Sequence, residues 1–431
     1  MFKFIHAADI HLDSPLHKLD YYEGAPADEI RQATRRAFDN LVQTAIAEDV
    51  DFILIAGDLY DGDWKDYNTG LYLVSQTGKL RDAGISVYIA YGNHDAASKI
   101  TKTLRLPENV YLFPSDKPST YLIDNIDSLN VAVHGQSFAA PAVKKDLSLL
   151  YPPPLTGYFN IGVLHTCASG REGHAPYSPC TPKGLSQKGY DYWALGHVHQ
   201  QEILCEDPPI LFSGNIQGRH IRETGPKGCM LITVDESGRS KLEFKPLDVI
   251  RWAILKVDSK GVESGYDLID RFCKELEILL DHSAGRPLVA RVLIEGETPA
   301  HSELLTDFDR WSNEIRAAAL DIGGERVWIE KIKIRTKLPP SEQDIQAGDG
   351  AIGELVKLFD ELASQPELLR GLSNELIDLD KKIPKELKKE LQENPDGIGL
   401  DDIEWLGSLV EQVRPMLIRM LIRKGDLNED S

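Results

Sequence analysis

The chain has 431 residues, too many for one ordinary hydrophobic core, so two or three domains are expected. Hydrophobic residues make up 42% and charged residues 27%, which supports packed cores and excludes a chain disordered throughout. The net charge of −20 argues against a protein that grips nucleic acid with its whole surface, so any DNA or RNA binding must rest on a local basic patch or on metal ions.

In chain order, FKFIHAAD reads as a strand and residues 28–48 as a helix with Phe38, Leu41, Val42 and Ala45 on one face. VDFILIAGD is a second strand, residues 67–82 a second helix and ISVYIAYGN a third strand, a βαβαβ rhythm that implies a parallel sheet with helical crossovers. TYLIDN, LNVAVHGQ, FNIGVLHT, DYWALGHVH, ILFSGN, CMLITVD and KLEFKPL then follow as short strands between turn residues, read together as a second, mixed sheet. The expected fold class is therefore α/β, two packed sheets flanked by helices over residues 1–247. A strand RWAILKVD, a helix over 264–280, a strand LVARVLIEG, a helix over 303–319 and a strand RVWIEKIKIRT make a small α+β unit over 248–337. KLPPSEQDIQAGDG marks a linker at 338–350, and residues 351–431 read as a helical C-terminal region. There Ile352, Leu355, Val356, Phe359 and Leu362 share one helix face, and Ile403, Leu406, Val410, Val413, Leu417 and Met420 another, with Pro415 kinking the run. Residues 341–431 hold 21 Asp and Glu against 11 Lys and Arg, so about half of the acidic excess sits there.

No window approaches a membrane-spanning run, and MFKFIHAADIH lacks the marks of a signal peptide, so a cytoplasmic location is expected. The five cysteines form no CxxC pair and read as reduced thiols.

The candidate chemistry sits where apolar runs end. AADIH places Asp9 and His11 after the first strand, IAGDLYD places Asp58 after the second, and YGNHD places Asn93, His94 and Asp95 after the third. VLHT supplies His165, and LGHVH supplies His197 and His199. In an open α/β sheet the carboxyl ends of strands form the crevice where ligands bind, so these residues can converge. Two carboxylates, one amide oxygen and four imidazoles without a thiolate are too rich in nitrogen for calcium or for magnesium alone, and favour manganese, iron or zinc. Two cations sharing Asp58 would lower the pKa of a bridging water and clamp the attacking and leaving oxygens of an in-line displacement at phosphorus. On that reading Asn93 is a neutral oxygen ligand and His94 is free to serve the leaving group.

The ordered series Asp9-x-His11, Gly57-Asp58, Gly92-Asn93-His94-Asp95, His165 and Gly196-His197-x-His199 resembles the five motifs of the calcineurin-like metallophosphoesterases. HAADIHLDSPL, LHTCASGREGH and RETGPKGC further resemble the SbcD/YhaO-type DNA repair exonuclease branch, strongly over the first 250 positions and only architecturally beyond. The resemblance implies one ion held by Asp9, His11, Asp58 and His199 and a second by Asp58, Asn93, His165 and His197, most readily Mn2+, with Fe2+ or Zn2+ as alternatives. It implies that His94 stabilises the transition state or protonates the departing 3′ oxygen, with Asp95 orienting a neighbour. Archaeal and eukaryotic relatives carry a histidine where this chain has Asp61 in GDLYDG. Asp61 either holds His94 protonated or caps the next helix.

Other residues have ordinary uses beside special ones. His6, His17, His134, His282 and His301 are expected to be structural or exposed. Arg171 and His174 in SGREGHAPYSPC, and Arg219, His220 and Arg222 in QGRHIRE, are candidate phosphate contacts in loops near the ligands. Lys99, Lys102 and Arg105, at threefold spacing, are either one solvated helix face or a contact to the DNA backbone. No GxxxxGK[ST] stretch is present, so no nucleotide cofactor is expected in this chain. The resemblance implies that ATP dependence would come from an SbcC-like coiled-coil ATPase docked on the C-terminal helices. The expected activity is Mn2+-dependent 3′-to-5′ exonucleolytic hydrolysis of DNA, with endonuclease action on single strands. A cyclic-nucleotide or other small-molecule phosphodiesterase and a non-enzymatic repair scaffold are the alternatives, and a homodimer is an open possibility.

Overall fold

The computed structural model describes residues 1–14, 27–61, 67–96, 105–126, 129–168, 177–339 and 351–365, with isolated positions between 368 and 417. His17, Lys99, Lys102, Arg171, His174 and most of the linker lie outside them.

β1 (Phe2–Ala7), β2 (Phe52–Ala56) and β3 (Ser86–Ala90) pair in parallel, joined by α1 (Ala27–Ala47) and α2 (Tyr67–Asp82). Their near-continuous apolar runs follow from burial on both faces. Ile5, Ile53, Ile55, Val87 and Ile89 pack under Phe38, Leu41 and Val42 of α1 and Leu73 and Leu80 of α2. The alternate residues Phe2, Phe4, Phe52, Leu54 and Tyr88 face the second sheet and meet Val131, Phe159, Ile161, Val163 and Tyr192. Phe4 stacks on Phe52 at 5.1 Å and takes the edge of Tyr192 at 5.2 Å, contacts worth about 0.5–1.5 kcal/mol each beyond burial.

The second sheet runs β5-β6-β7-β8-β10-β9, from β5 (Ser119–Ile126), β6 (Leu129–Gly135), β7 (Phe159–His165), β8 (Tyr192–Gly196), β9 (Glu202–Glu206) and β10 (Pro209–Phe212). Its outer face carries Leu164, Trp193, Leu195 and Phe212 under Leu147, Tyr151, Leu185 and Tyr190. The fold is thus two mixed sheets flanked by helices.

One expectation about the sheets is corrected. CMLITVD and KLEFKPL, read as strands of the second sheet, form β11 (Gly228–Val234) and β12 (Ser240–Pro246) of the first, whose order is β12-β11-β1-β2-β3-β4 with β4 at Val110–Leu112. β11 runs antiparallel to β1 over Phe2↔Val234 to His6↔Met230 and covers the edge that the parallel strands leave open. The buried run of β11 suits an inner strand, and the alternation of β12 suits the edge it occupies.

A third sheet of β13 (Arg251–Asp258), β14 (Leu288–Glu297) and β15 (Val327–Lys337) carries α3 (Gly265–His282) between its first two strands. The single helix expected next is two, α4 (His301–Thr306) and α5 (Phe308–Gly323), because Asp307 leaves helical geometry at φ −110°, ψ 42°. The contacts divide the chain into two compact units. One holds Met1–Val257, Arg271–Leu293 and Asn313–Lys333, and the other holds Asp258–Asp270, Ile294–Ser312 and Ile334–Ser431. In the second, α6 (Ala351–Ser364) contributes Phe359 to a cluster with Leu369, Leu406 and Val410. Among the described residues no helix is long and apolar enough to cross a membrane.

Candidate metal centre

Every candidate ligand stands at or just past the carboxyl end of a parallel strand. Asp9 and His11 follow β1, Asp58 follows β2, Asn93 opens a single helical turn after β3, His165 ends β7, and His197 and His199 follow β8. Four of them take left-handed backbone angles: Asp9 (φ 51°), His11 (φ 48°), Asp58 (φ 51°) and His197 (φ 105°). Each such residue costs on the order of 1–3 kcal/mol and persists only where its surroundings impose it. Here the imposing contacts are backbone bonds that extend the β1–β2 pairing: Asp9 N–H to Gly57 O, His11 N–H to Asp58 O and Leu12 N–H to Leu59 O, all 3.0 Å. Two glycines make room. A Cβ on Gly57, itself at φ +99°, would strike the His165 ring, and a Cβ on Gly92 would strike Asp58 Oδ1.

The side chains converge in three overlapping groups, Asp9–His11–His199, His11–Asp58–His94 and Asp58–His165–His197, with donor atoms within 4.8 Å of one another in each. Asp58 belongs to two of them. Its Oδ1 accepts the His94 N–H at 3.0 Å, and its Oδ2 lies 3.9 Å from His11 Nε2 and 3.5 Å from His165 Nε2. Both Asp9 oxygens accept the His197 N–H at 3.0 Å.

Protons decide what such a cluster suits. His165 Nδ1 lies 3.0 Å from the carbonyl oxygen of Ala56, which can only accept, so Nδ1 carries a hydrogen and the lone pair of the neutral ring falls on Nε2. That lone pair faces Asn93 Oδ1, another acceptor, at 2.9 Å. His11 Nε2 and His199 Nε2 face each other at 3.3 Å. Burial first, then the charge of Arg219, holds the His11 imidazole well below the usual range, so it stays neutral. Burial, opposed by His199 and His165 and reinforced by Asp58, pushes the Asp9 carboxyl up. Acceptors and like charges crowded in this way fit divalent cations in their midst.

At the edge of the cluster the His94 side chain is 41% exposed, and its Nδ1 lies 2.7 Å from Asp61 Oδ1. The hydrogen bond to Asp61, working against burial, raises the His94 pKa. Burial would raise the Asp61 carboxyl, but hydrogen bonds from His94 and Ser14 hold it down at about 2. Asp61 thus contacts His94 directly. Asp95 is spent on backbone: its oxygens accept Gly92 N–H at 2.9 Å, Tyr60 N–H at 2.8 Å and Leu59 N–H at 3.1 Å, tying the second and third strand ends together. Burial, then the charge of Asp58, pushes its carboxyl up to about 7 against those three donors.

Arg219 reaches this region, its Nη1 3.4 Å from Ser14 Oγ and 3.5 Å from Asp61 Oδ2. His220 is 54% exposed at its side chain, its Nε2 3.6 Å from Glu223 Oε1. Arg105 and Arg222 are exposed. Sequence reading gave no role to Glu223, although RETGPKGC contains it. It is buried, accepts from His199 Nδ1 at 2.6 Å and stands four residues after Arg219, the only hint available beforehand. Away from the centre, His6, His134 and His301 are buried and hydrogen-bonded, and His282 is exposed, as expected.

Residues 2–201 match the family described as calcineurin-like phosphoesterase, and residues 252–337 match metallophosphoesterase YhaO, middle domain. The chain is 35% identical over 300 residues to the uncharacterized metallophosphoesterase YhaO of Bacillus subtilis, covering 69% of this chain and 72% of that one. It is 27% identical over 328 residues to the DNA double-strand break repair protein Mre11 of Sulfurisphaera tokodaii, covering 72% of this chain and 78% of the relative. Mre11 of Aeropyrum pernix is 29% identical over 249 residues, 55% of this chain and 58% of that one.

Proposed function

Since this chain belongs to the calcineurin-like metallophosphoesterases of the YhaO family, we propose that it is a cytoplasmic two-metal phosphodiesterase acting on DNA, a Mn2+-dependent 3′-to-5′ exonuclease with endonuclease action on single strands. The convergence of donor atoms from Asp9, His11, Asp58, His165, His197 and His199 carries the reading. DNA as substrate is supported by the Mre11 relatives, which are DNA double-strand break repair proteins, and the polarity by the family resemblance.

Asp9, His11, Asp58 and His199 would hold one ion, and Asp58, Asn93, His165 and His197 the other. Bound there, divalent cations acidify an attacking water and neutralise charge on the phosphoryl oxygens. The chain's own residues do the rest. Asp58 keeps one oxygen on the His94 N–H and turns the other toward both histidine sets. His94, kept protonated by Asp61, offers a proton from Nε2 to the departing 3′ oxygen, and its partial exposure leaves that atom reachable. Arg219 sets a fixed positive charge beside Asp61, where a phosphate would approach.

The C-terminal helices, whose equally ordinary use is to pack on their own chain, are the proposed dock for an SbcC-like ATPase. Around their own cluster Leu358, Leu368 and Leu417 remain 50%, 39% and 39% exposed, and deleting residues from Ala351 onward should abolish co-purification with the cognate ATPase. The net charge of −20 favours a second reading, hydrolysis of a small phosphoester such as a cyclic nucleotide. One assay separates the two: the purified chain with Mn2+, with and without chelator, on 3′-labelled double-stranded DNA beside a 2′,3′-cyclic nucleotide. Chelator-sensitive loss of the DNA label with the nucleotide untouched is expected. The reverse pattern would leave the metal centre standing and overturn DNA as the substrate.

A further inference from the structure

The loop between β10 and β11 buries a carboxylate that the reaction described above does not use. Glu223 is 5% exposed, and its two oxygens collect four nitrogen neighbours. Oε1 meets His199 Nδ1 at 2.6 Å and Arg219 Nη2 at 3.1 Å, while Oε2 meets the Arg219 backbone N–H at 2.8 Å and Asn215 Nδ2 at 2.9 Å. His220 Nε2 stands farther off, 3.6 Å from Oε1.

We propose that Glu223 is a positioning residue that keeps the proton of His199 on Nδ1, turning the Nε2 lone pair into the metal centre, and that it holds the Arg219 guanidinium between His199 and Asp61. This inference rests on the two-metal reading above.

Three of the four nitrogens, the Arg219 amide, the Arg219 guanidinium and the Asn215 amide, can only donate. A carboxylate so surrounded is ionised on both oxygens. Facing an oxygen that can only accept, at 2.6 Å, His199 Nδ1 must carry the hydrogen. Arg219 Nη2 and His199 Nδ1 come within 3.2 Å because both donate to the same Oε1. With its hydrogen on Nδ1, His199 offers Nε2 as a base, and Nε2 is the atom that faces His11 Nε2 at 3.3 Å. The nitrogen an imidazole gives to a metal is set by the bond its other nitrogen makes. His165 is set in the same way by the Ala56 carbonyl, which no substitution removes, whereas the acceptor behind His199 is a side chain. The same carboxylate extends the arrangement outward, from Arg219 to Asp61 at 3.5 Å and from Asp61 to His94 at 2.7 Å.

The test uses the metal-free full-length chain, labelled with 15N-histidine, as wild type and as Glu223→Gln. The glutamine amide turns an N–H toward donors on one side and cannot accept from all four. Nuclear magnetic resonance of the His199 ring reports the tautomer, and calorimetric titration with Mn2+ reports affinity. We expect the Nδ1–H form in the wild type, a shift toward Nε2–H in the variant, and Mn2+ affinity weakened by about 10–100-fold. A merely structural role would leave the tautomer where it was. A wild-type spectrum showing the Nε2–H form overturns the inference even if the variant fails to fold. Mn2+ binding that is lost in His199→Ala and indifferent to Glu223→Gln overturns this inference alone. A wild-type chain that binds no Mn2+ overturns the two-metal reading and the inference with it.

Discussion

His6 sits within β1 and His11 four residues past its end, and both are fully shielded from solvent. In the interior, His6 places Nδ1 3.1 Å from the Tyr192 hydroxyl and Nε2 3.0 Å from the Leu195 carbonyl. His134 is bonded likewise, to Thr120 Oγ1 at 2.8 Å and Asn160 Oδ1 at 3.1 Å. At the rim, His11 Nε2 faces the Nε2 of His199, and the His165 lone pair faces Asn93 Oδ1. Burial therefore does not separate structural from chemical histidines; the proton inventory of their neighbours does. An imidazole whose neighbours complement it is complete, and one whose neighbours compete with it fits a cation.

Removing the shared rim carboxylate tests that contrast hardest. Asp58→Asn should lower Mn2+-dependent hydrolysis by roughly 10³-fold or more, about 4 kcal/mol of transition-state stabilisation. The metal-free variant should melt no lower than wild type, because one of two buried like charges is gone: the Asp9 carboxyl is pushed up by burial and in part by Asp58. Kinetics beside a chelator-treated melting curve would check both. A large fall in apo stability with activity retained would put Asp58 with the interior groups. His94→Asn should reduce kcat by roughly 10²-fold or more and leave Mn2+ affinity unchanged, because His94 stands at the exposed edge against Asp61. Full turnover with normal metal binding would remove His94 from the reaction.

The same contrast explains what could be read beforehand. An apolar run that ends in Asp, Asn or His is visible in the letters, so the convergence of Asp9, Asp58, Asn93 and His165 follows once the sheet is parallel. The sheet membership of β11 was not legible, because a run of buried residues reports coverage of both faces and says nothing of which edge it joins. The letters place Asp95 beside His94 as a group that orients a neighbour, but not which one: its partners are three backbone N–H groups brought in by Leu59, Tyr60 and Gly92. Glu223 has no role legible in the letters beside Arg219 and Arg222. Its use depends on the fold bringing His199 and Asn215 to its two oxygens.

The smallest effect concerns the interior alone. Burial, only partly offset by the bond to the Leu195 carbonyl, holds the His6 pKa at about 3 against an ordinary value of 6.5. Below pH 6.5 the unfolded chain takes up a proton that the folded chain refuses, so the contribution of His6 to stability is complete above that pH and is lost as pH falls toward 3. Between pH 7.5 and 5 this amounts to about 2 kcal/mol. His134, whose pKa burial also lowers, works in the same direction. Urea unfolding of the metal-free chain at the two pH values should show wild type losing about 2 kcal/mol more than His6→Gln does, whatever the variant's own stability at pH 7.5. The difference should persist when Mn2+ is added, since both nitrogens of His6 are already engaged inside the sheets. Equal losses in the two proteins would mean that His6 protonates in the folded state, and a difference that vanishes with Mn2+ would place His6 among the rim residues.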